Sequence, residues 1–225
     1  MIPKVIHQIF IQFPGSDIKT LHDHPTFSEC YEKTIQFCNF YGYEHSLWTE
    51  ASIRALLKKY PHYYEDLYDS FPQPIMRVDL ARLLILYEYG GLYLDLDLFP
   101  VKSLDDFFEN RYELFVKWAG HNDPYNAIMG CSAKHELFEK ILEHCRDSFI
   151  SKSKIEIYKN WTGRFVFHVT GHKMIARVLK RYDYTDLLDI VFVNCKGNKI
   201  GDPETAYFHD FNVSSWYEKN QQVFH

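Results

Sequence analysis

The sequence predicts an α/β sandwich around a largely parallel sheet. Three observations point there. Strand-like and helix-like runs alternate along the chain. Residues 2–11 form a β-branched, apolar run, IPKVIHQIFI. Between residues 74 and 100 a helix pattern passes through two glycines into a leucine-rich strand, PIMRVDLARLLILYEYGGLYLDLDLFP. With 225 residues, 46% of them hydrophobic, a sizeable core can form, and global disorder is excluded. No linker divides the chain, so one domain over 1–225 is expected.

Residues 2–11 read as the first strand. A loop with Pro14, Gly15 and Pro25 follows. Residues 27–41 read as a helix, with Thr26 as N-cap, Glu29 as its capping-box partner and Gly42 as its stop. YEHSLW (43–48) is a second strand, and Thr49 caps a helix over 50–60 that ends before Pro61. Pro74 suits a first helical turn, and residues 75–89 continue it with apolar positions on nearly every side. Gly90-Gly91 stops that helix, and LYLDLDLF is a strand by alternation. ELFVKW (113–118), NAIMGCS (126–132) and DIVFVN (189–194) read as further strands, and 135–149 and 172–182 as helices.

The net charge of −5 argues against nucleic-acid binding, so an anionic ligand would need a local cation. Aromatic residues reach 17%, which suits ring-lined grooves or an aromatic core. Five cysteines without a CxxC pair, Cys30 and Cys38 lying roughly 12 Å apart along one helix, point to reduced thiols and a cytosol-like compartment. No signal-peptide pattern and no apolar run near membrane-spanning length is present, so a cytoplasmic protein without a transmembrane segment is expected. Sequons at Asn160 and Asn212 are then chance matches.

The chemistry gathers at Asp95 and Asp97. On a continuous strand, residues i and i+2 share a face, so Leu94, Leu96 and Leu98 would face the core and Tyr93, Asp95 and Asp97 the other side, with the carboxylates about 7 Å apart. Two anions held near each other in a partly dry site raise one another's pKa unless a cation joins them. Mn²⁺ or Mg²⁺ suits such oxygen ligands, which commonly share the ion with substrate phosphates. The bland alternative is a solvated strand end with two surface aspartates. Asp79 and Arg82 are three apart on the preceding helix, either an internal ion pair or groups reaching the same pocket.

The run R-x-D-x-x-R-x-x-x-L-x-x-x-G-G-x-Y-x-D-x-D, from Arg77 to Asp97, resembles the sugar-binding DxD region of glycosyltransferase family 32. That family includes fungal α-1,6-mannosyltransferases and bacterial capsule transferases, and the catalytic domains of large clostridial toxins carry a similar pattern. IPKVIHQIF, VTGHKM and HDFNVSSW resemble further elements of the family. The resemblance implies a GT-A fold and retaining transfer of a sugar from a nucleotide-diphosphate donor, a UDP-sugar or GDP-mannose, to a glycan or other hydroxyl acceptor. It implies that Asp97 binds the metal, that Asp95 contacts the donor ribose and metal shell, and that Asp79 and Arg82 hold the sugar or its phosphate. Tyr93 would line the nucleotide pocket, and His209, Ser215 and Trp216 would close over the diphosphate and metal. The chain departs from the family at Phe10, which stands where the base-stacking Trp is usual, and at His172, which replaces the proline of T-G-P. The step from His209 to Ser215-Trp216 is one residue longer than usual.

Two other readings share these aspartates: a DxD phosphohydrolase with an aspartyl nucleophile, and a non-catalytic nucleotide-sugar-binding module. Donor sugar, acceptor and oligomeric state are not encoded in any readable pattern; acceptor contacts are expected from loops such as 12–25 and 119–126.

Overall fold

A computed structural model describes residues 1–117, 123–152, 162–184, 186–188, 192–194, 206–211 and 213. The elements are β1 (Val5–Ile9), α1 (Pro25–Tyr41), β2 (Glu44–Trp48), α2 (Glu50–Leu57), α3 (Tyr63–Ser70), α4 (Pro74–Tyr89), β3 (Gly91–Leu94), β4 (Leu98–Pro100) and α5 (Asp105–Asn110). They continue with β5 (Glu113–Lys117), β6 (Pro124–Cys131), α6 (Glu136–Lys152), α7 (Thr162–Val169), α8 (His172–Arg181), β7 (Leu187–Leu188), β8 (Phe192–Asn194) and β9 (Phe208–Asp210). The main sheet runs β2-β1-β3-β6-β5-β7, and a small second sheet runs β4-β9-β8. Only β6 opposes the direction of the other main-sheet strands, so the sheet is mostly parallel, as expected.

Strand alternation splits the core into two layers. Tyr93, Phe115 and Met129 face α2, α3, α4, α6, α7 and α8; Leu92, Leu94, Leu114, Val116 and Ile128 face α1, α5 and the small sheet. Apolar residues on both faces are what a sheet covered by helices requires.

Several local expectations shift. α1 begins at Pro25, with His24 as N-cap rather than Thr26, because proline is preorganised for the first helical position. Glu29 pairs with Lys33 one turn on (2.7 Å) instead of closing a capping box. α2 ends at Leu57, short of 60. α3, α5, α7 and β9 were not anticipated. Residues 118, 189–191 and 195 of the expected strands and cysteines lie outside the described residues. Cys38, Cys131 and Cys145 are free and buried, consistent with reduced thiols, and Cys30 is buried.

The glycine pair is the joint that places the site. Gly90 (φ 68°) and Gly91 (φ 91°) turn α4 directly into β3. A Cβ at Gly90 would come within 2.6 Å of the Ala133 amide nitrogen, and one at Gly91 within 2.6 Å of Val5 Cγ1. Only glycine combines the positive φ with that approach. Behind the joint, buried His7 links β1 to β2 and to the glycines. Trp48 Nε1–H donates to His7 Nδ1 (3.1 Å), so the ring proton sits on Nε2 and donates to the Gly90 carbonyl (3.0 Å). Burial holds His7 down at about 4, neutral at ordinary pH.

Candidate active site

The leucine–aspartate run is not one strand. β3 stops at Leu94, the Leu98 amide donates to the Asp95 carbonyl (3.2 Å), and the chain crosses into the small sheet as β4. Asp95 and Asp97 therefore stand on a turn between two sheets, and their proximity comes from the turn, not from strand alternation. The turn is pinned at both ends: the Asp95 amide donates to Ala127 O (3.0 Å), and the Phe211 amide to Asp97 O (3.0 Å).

Below the turn lies a buried polar network. Arg82 is 3% exposed and Asp79 2%. Arg82 Nη2 meets Asp79 Oδ1 (3.2 Å), while Nη1 meets Asp95 Oδ1 (3.2 Å) and donates to the Asn126 carbonyl (2.7 Å). The guanidinium lies over the Tyr93 ring, 4.7 Å from its centroid, and the Tyr93 hydroxyl donates to Asp95 Oδ1 (2.6 Å). Asp79 accepts from Thr170 Oγ1 (2.6 Å) and Asn126 Nδ2 (3.2 Å). Burial opposes the charge on Arg82, but the carboxylates of Asp95 and Asp79 and the Tyr93 hydroxyl outweigh it and hold the guanidinium cationic. Burial raises the Asp79 pKa, with Arg82 and Thr170 pulling it back.

Asp97 is different in kind. Its Oδ2 accepts from the Val213 amide (2.8 Å), and its carboxyl is pushed up to about 7 by burial and by the charges of Asp95 and Asp210. Asp210, on β9, is 2% exposed and accepts from the Tyr125 hydroxyl (2.7 Å). Three carboxylates and two tyrosine hydroxyls thus converge at one end of the main sheet. All the donors are hard oxygens, the set that suits Mn²⁺ or Mg²⁺. Among the described residues no group of three or more His, Cys, Asp or Glu is placed to hold a metal ion by itself.

The expected site residues divide. Asp95, Asp97, Asp79 and Arg82 come together. Tyr93 joins them through its hydroxyl and through the ring under Arg82, and it lies 1% exposed in the core rather than lining a pocket. Phe10 lies partly buried just past β1, its amide bonded to Trp48 O (2.8 Å). His209 points away. Alternation on β9 sets it against Phe99 (5.0 Å between ring centroids), where burial and the Lys33 charge lower its pKa, while its neighbour Asp210 takes the side facing Asp97. Ser215 and Trp216 lie outside the described residues. Thr170 and Asp210 fall within the VTGHKM and HDFNVSSW stretches but were not singled out, and Asn126 was missed as a site residue. Each is a polar residue within or beside an apolar run, a signal that marks a need for a partner but does not say which.

This α/β architecture, with a DxD turn at the end of its main sheet, is the GT-A type of fold. The structure titled PaToxG Glycosyltransferase is similar to it, with a TM-score of 0.54 over 80% of this chain and 69% of that one at 16% identity. Residues 25–113 match the family described as "Glycosyltransferase sugar-binding region containing DXD motif". Relatives include Inositol phosphoceramide mannosyltransferase 3 of Schizosaccharomyces pombe, 29% identical over 64% of this chain and 37% of that protein. Uncharacterized glycosyltransferase L373 of Acanthamoeba polyphaga mimivirus is 30% identical over 74% and 63%. Mannosyl phosphorylinositol ceramide synthase CSH1 of Saccharomyces cerevisiae is 28% identical over 81% and 43%. The chain thus spans between 37% and 63% of the length of these relatives. Among the described residues no helix is long and apolar enough to cross a membrane.

Proposed function

We propose that the chain transfers a sugar from a nucleoside-diphosphate donor to a hydroxyl-bearing acceptor, retaining the anomeric configuration, with Mn²⁺ or Mg²⁺ held by Asp97 and Asp95. The observation that carries this reading is the turn that sets Asp97 beside Asp95 and Asp210 above the buried cation of Arg82. The fungal relatives named as mannosyltransferases favour mannose, hence GDP-mannose ahead of a UDP-sugar. When bound, the metal neutralises charge on the diphosphate leaving group. The chain's own residues do the rest. Tyr93 and Arg82 hold the Asp95 carboxylate facing the donor. The Arg82 charge sits where negative charge builds on the leaving group and costs no reorganisation as the bond breaks. Phe10 offers an aromatic face at the end of β1 for the base.

A thermal-shift panel of nucleotide sugars, with and without Mn²⁺, tests this. The true donor at 100-fold above its Kd should add about 2.7 kcal/mol of stability, only when metal is present, and the protein should hydrolyse that donor slowly without acceptor. Stabilisation without hydrolysis would instead describe a binding module. Hydrolysis of simple phosphomonoesters would describe a phosphohydrolase.

Phe10→Ala should weaken donor binding by roughly 1–3 kcal/mol, the scale of base–aromatic stacking, and Phe10→Trp should keep or improve it. Calorimetry on both variants decides. Wild-type affinity in both, with only a lower melting temperature for Phe10→Ala, would return Phe10 to the core.

A further inference from the structure

We propose that Thr170 and Asn126 are positioning residues which, through Asp79 and Arg82, hold the Asp95 carboxylate in its donor-facing orientation. The inference rests on the glycosyltransferase reading and adds two residues that touch neither metal nor donor.

The geometry runs in one direction. Asp79 is a carboxylate on α4, buried to 2% exposure. A carboxylate accepts several hydrogen bonds, and a buried one must find them inside the protein. Oδ2 takes the Thr170 hydroxyl at 2.6 Å, from the junction between α7 and α8. Oδ1 takes Asn126 Nδ2 (3.2 Å) and Arg82 Nη2 (3.2 Å). The two oxygens are thus assigned, and the carboxylate plane is set. That plane fixes the guanidinium: one nitrogen is committed to Asp79, and the other is left for Asp95 and the Asn126 carbonyl. Asn126 therefore holds both ends of the pair, Asp79 by its side chain and Arg82 by its main chain. The adjacent Ala127 carbonyl anchors the Asp95 amide, so the same stretch of β6 fixes the turn itself.

Thr170 is the part of this chain that secondary structure does not constrain. The Thr170 and Gly171 amides both close on Val166 O (3.0 and 2.9 Å), ending α7 in a fixed turn that aims the hydroxyl inward. Without the hydroxyl, Oδ2 loses the Thr170 donor. The carboxylate then rotates toward the guanidinium and draws Arg82 off Asp95.

Thr170→Val keeps the shape and removes the hydroxyl; Thr170→Ser restores it. A matched core truncation on α8, Val178→Ala, supplies loss of stability without touching the network. All are measured below their melting temperatures, by donor turnover and by calorimetry of nucleoside diphosphate with Mn²⁺. Outer partners of a metal site typically cost 10–100-fold in affinity or activity, and Thr170→Val is expected to lose about tenfold or more in both readouts. Thr170→Ser should return both to near wild type, and Val178→Ala should lower only the melting temperature. If Thr170→Val does not fold, Asn126→Ala removes the side-chain amide donor to Asp79 and should show the same two losses. Wild-type binding and turnover in the removing variants, or losses equal to those of Val178→Ala at matched stability, would overturn the proposal. A wild-type protein that neither binds nor turns over any nucleotide sugar would overturn the glycosyltransferase reading, and this proposal with it.

Discussion

Asp97→Ala is expected to abolish Mn²⁺-dependent binding of a nucleoside diphosphate and to leave the fold intact. The side chain is partly buried and accepts the Val213 main-chain amide, so its removal opens no core cavity. What it removes is a carboxylate whose proton affinity is raised by burial and by its neighbours. Burial and the charges of Asp95 and Asp210 raise Asp97 to about 7. A bound cation would relieve both. Without metal, the ionised form destabilises the folded protein: that cost is absent at low pH, grows as pH rises from the ordinary carboxylate range, and is complete above about pH 7. Asp97→Asn should therefore raise the metal-free melting temperature at pH 8 while losing Mn²⁺-linked binding. Titration calorimetry and melting curves, each with and without Mn²⁺, check both halves. Unchanged metal-dependent diphosphate binding in Asp97→Ala would sink the assignment.

Arg82→Lys is expected to lose turnover by at least tenfold, about 1.4 kcal/mol in the barrier, while Arg77→Lys keeps most of it. The structure gives the difference a mechanism. Arg82 spends two separate nitrogens on Asp79 and Asp95 while its plane covers Tyr93, and an ammonium cannot reproduce a planar fork. Arg77, five residues earlier, lies over the Tyr68 ring at 5.5 Å, a contact that a lysine can retain. Because Arg82 is buried against two carboxylates, a neutral replacement would strand them, at about 3–5 kcal/mol of stability; lysine keeps the charge and separates catalysis from folding. Steady-state donor hydrolysis, run well below both melting temperatures, decides it. Equal losses at the two positions, or a loss at Arg82 that follows the unfolded fraction, would make α4 scaffold alone.

The sequence by itself determined the parts whose causes are local. The apolar run of β1, the capping threonine of α2, the proline that opens α4 and the paired glycines that end it each act over a few residues, and each stands where the pattern puts it. The short helices α3 and α5 escaped because six or eight residues hold too few turns to show a period. The site depended on more than local pattern. Alternating leucines and aspartates read as one strand, but the turn at Asp95 is made by Ala127 and the bond to Phe211, distant partners that no periodicity names. His209 and Asp210 are neighbours in sequence with opposite destinations, because only the pairing of Leu98 with Asp210 says which face of β9 meets Asp97. Asn126 and Thr170 lie 47 and 91 residues from the carboxylate they hold. A sequence pattern states that a buried polar group needs a partner; the tertiary fold chooses the partner, since that choice depends on which chain segments are brought within hydrogen-bond reach.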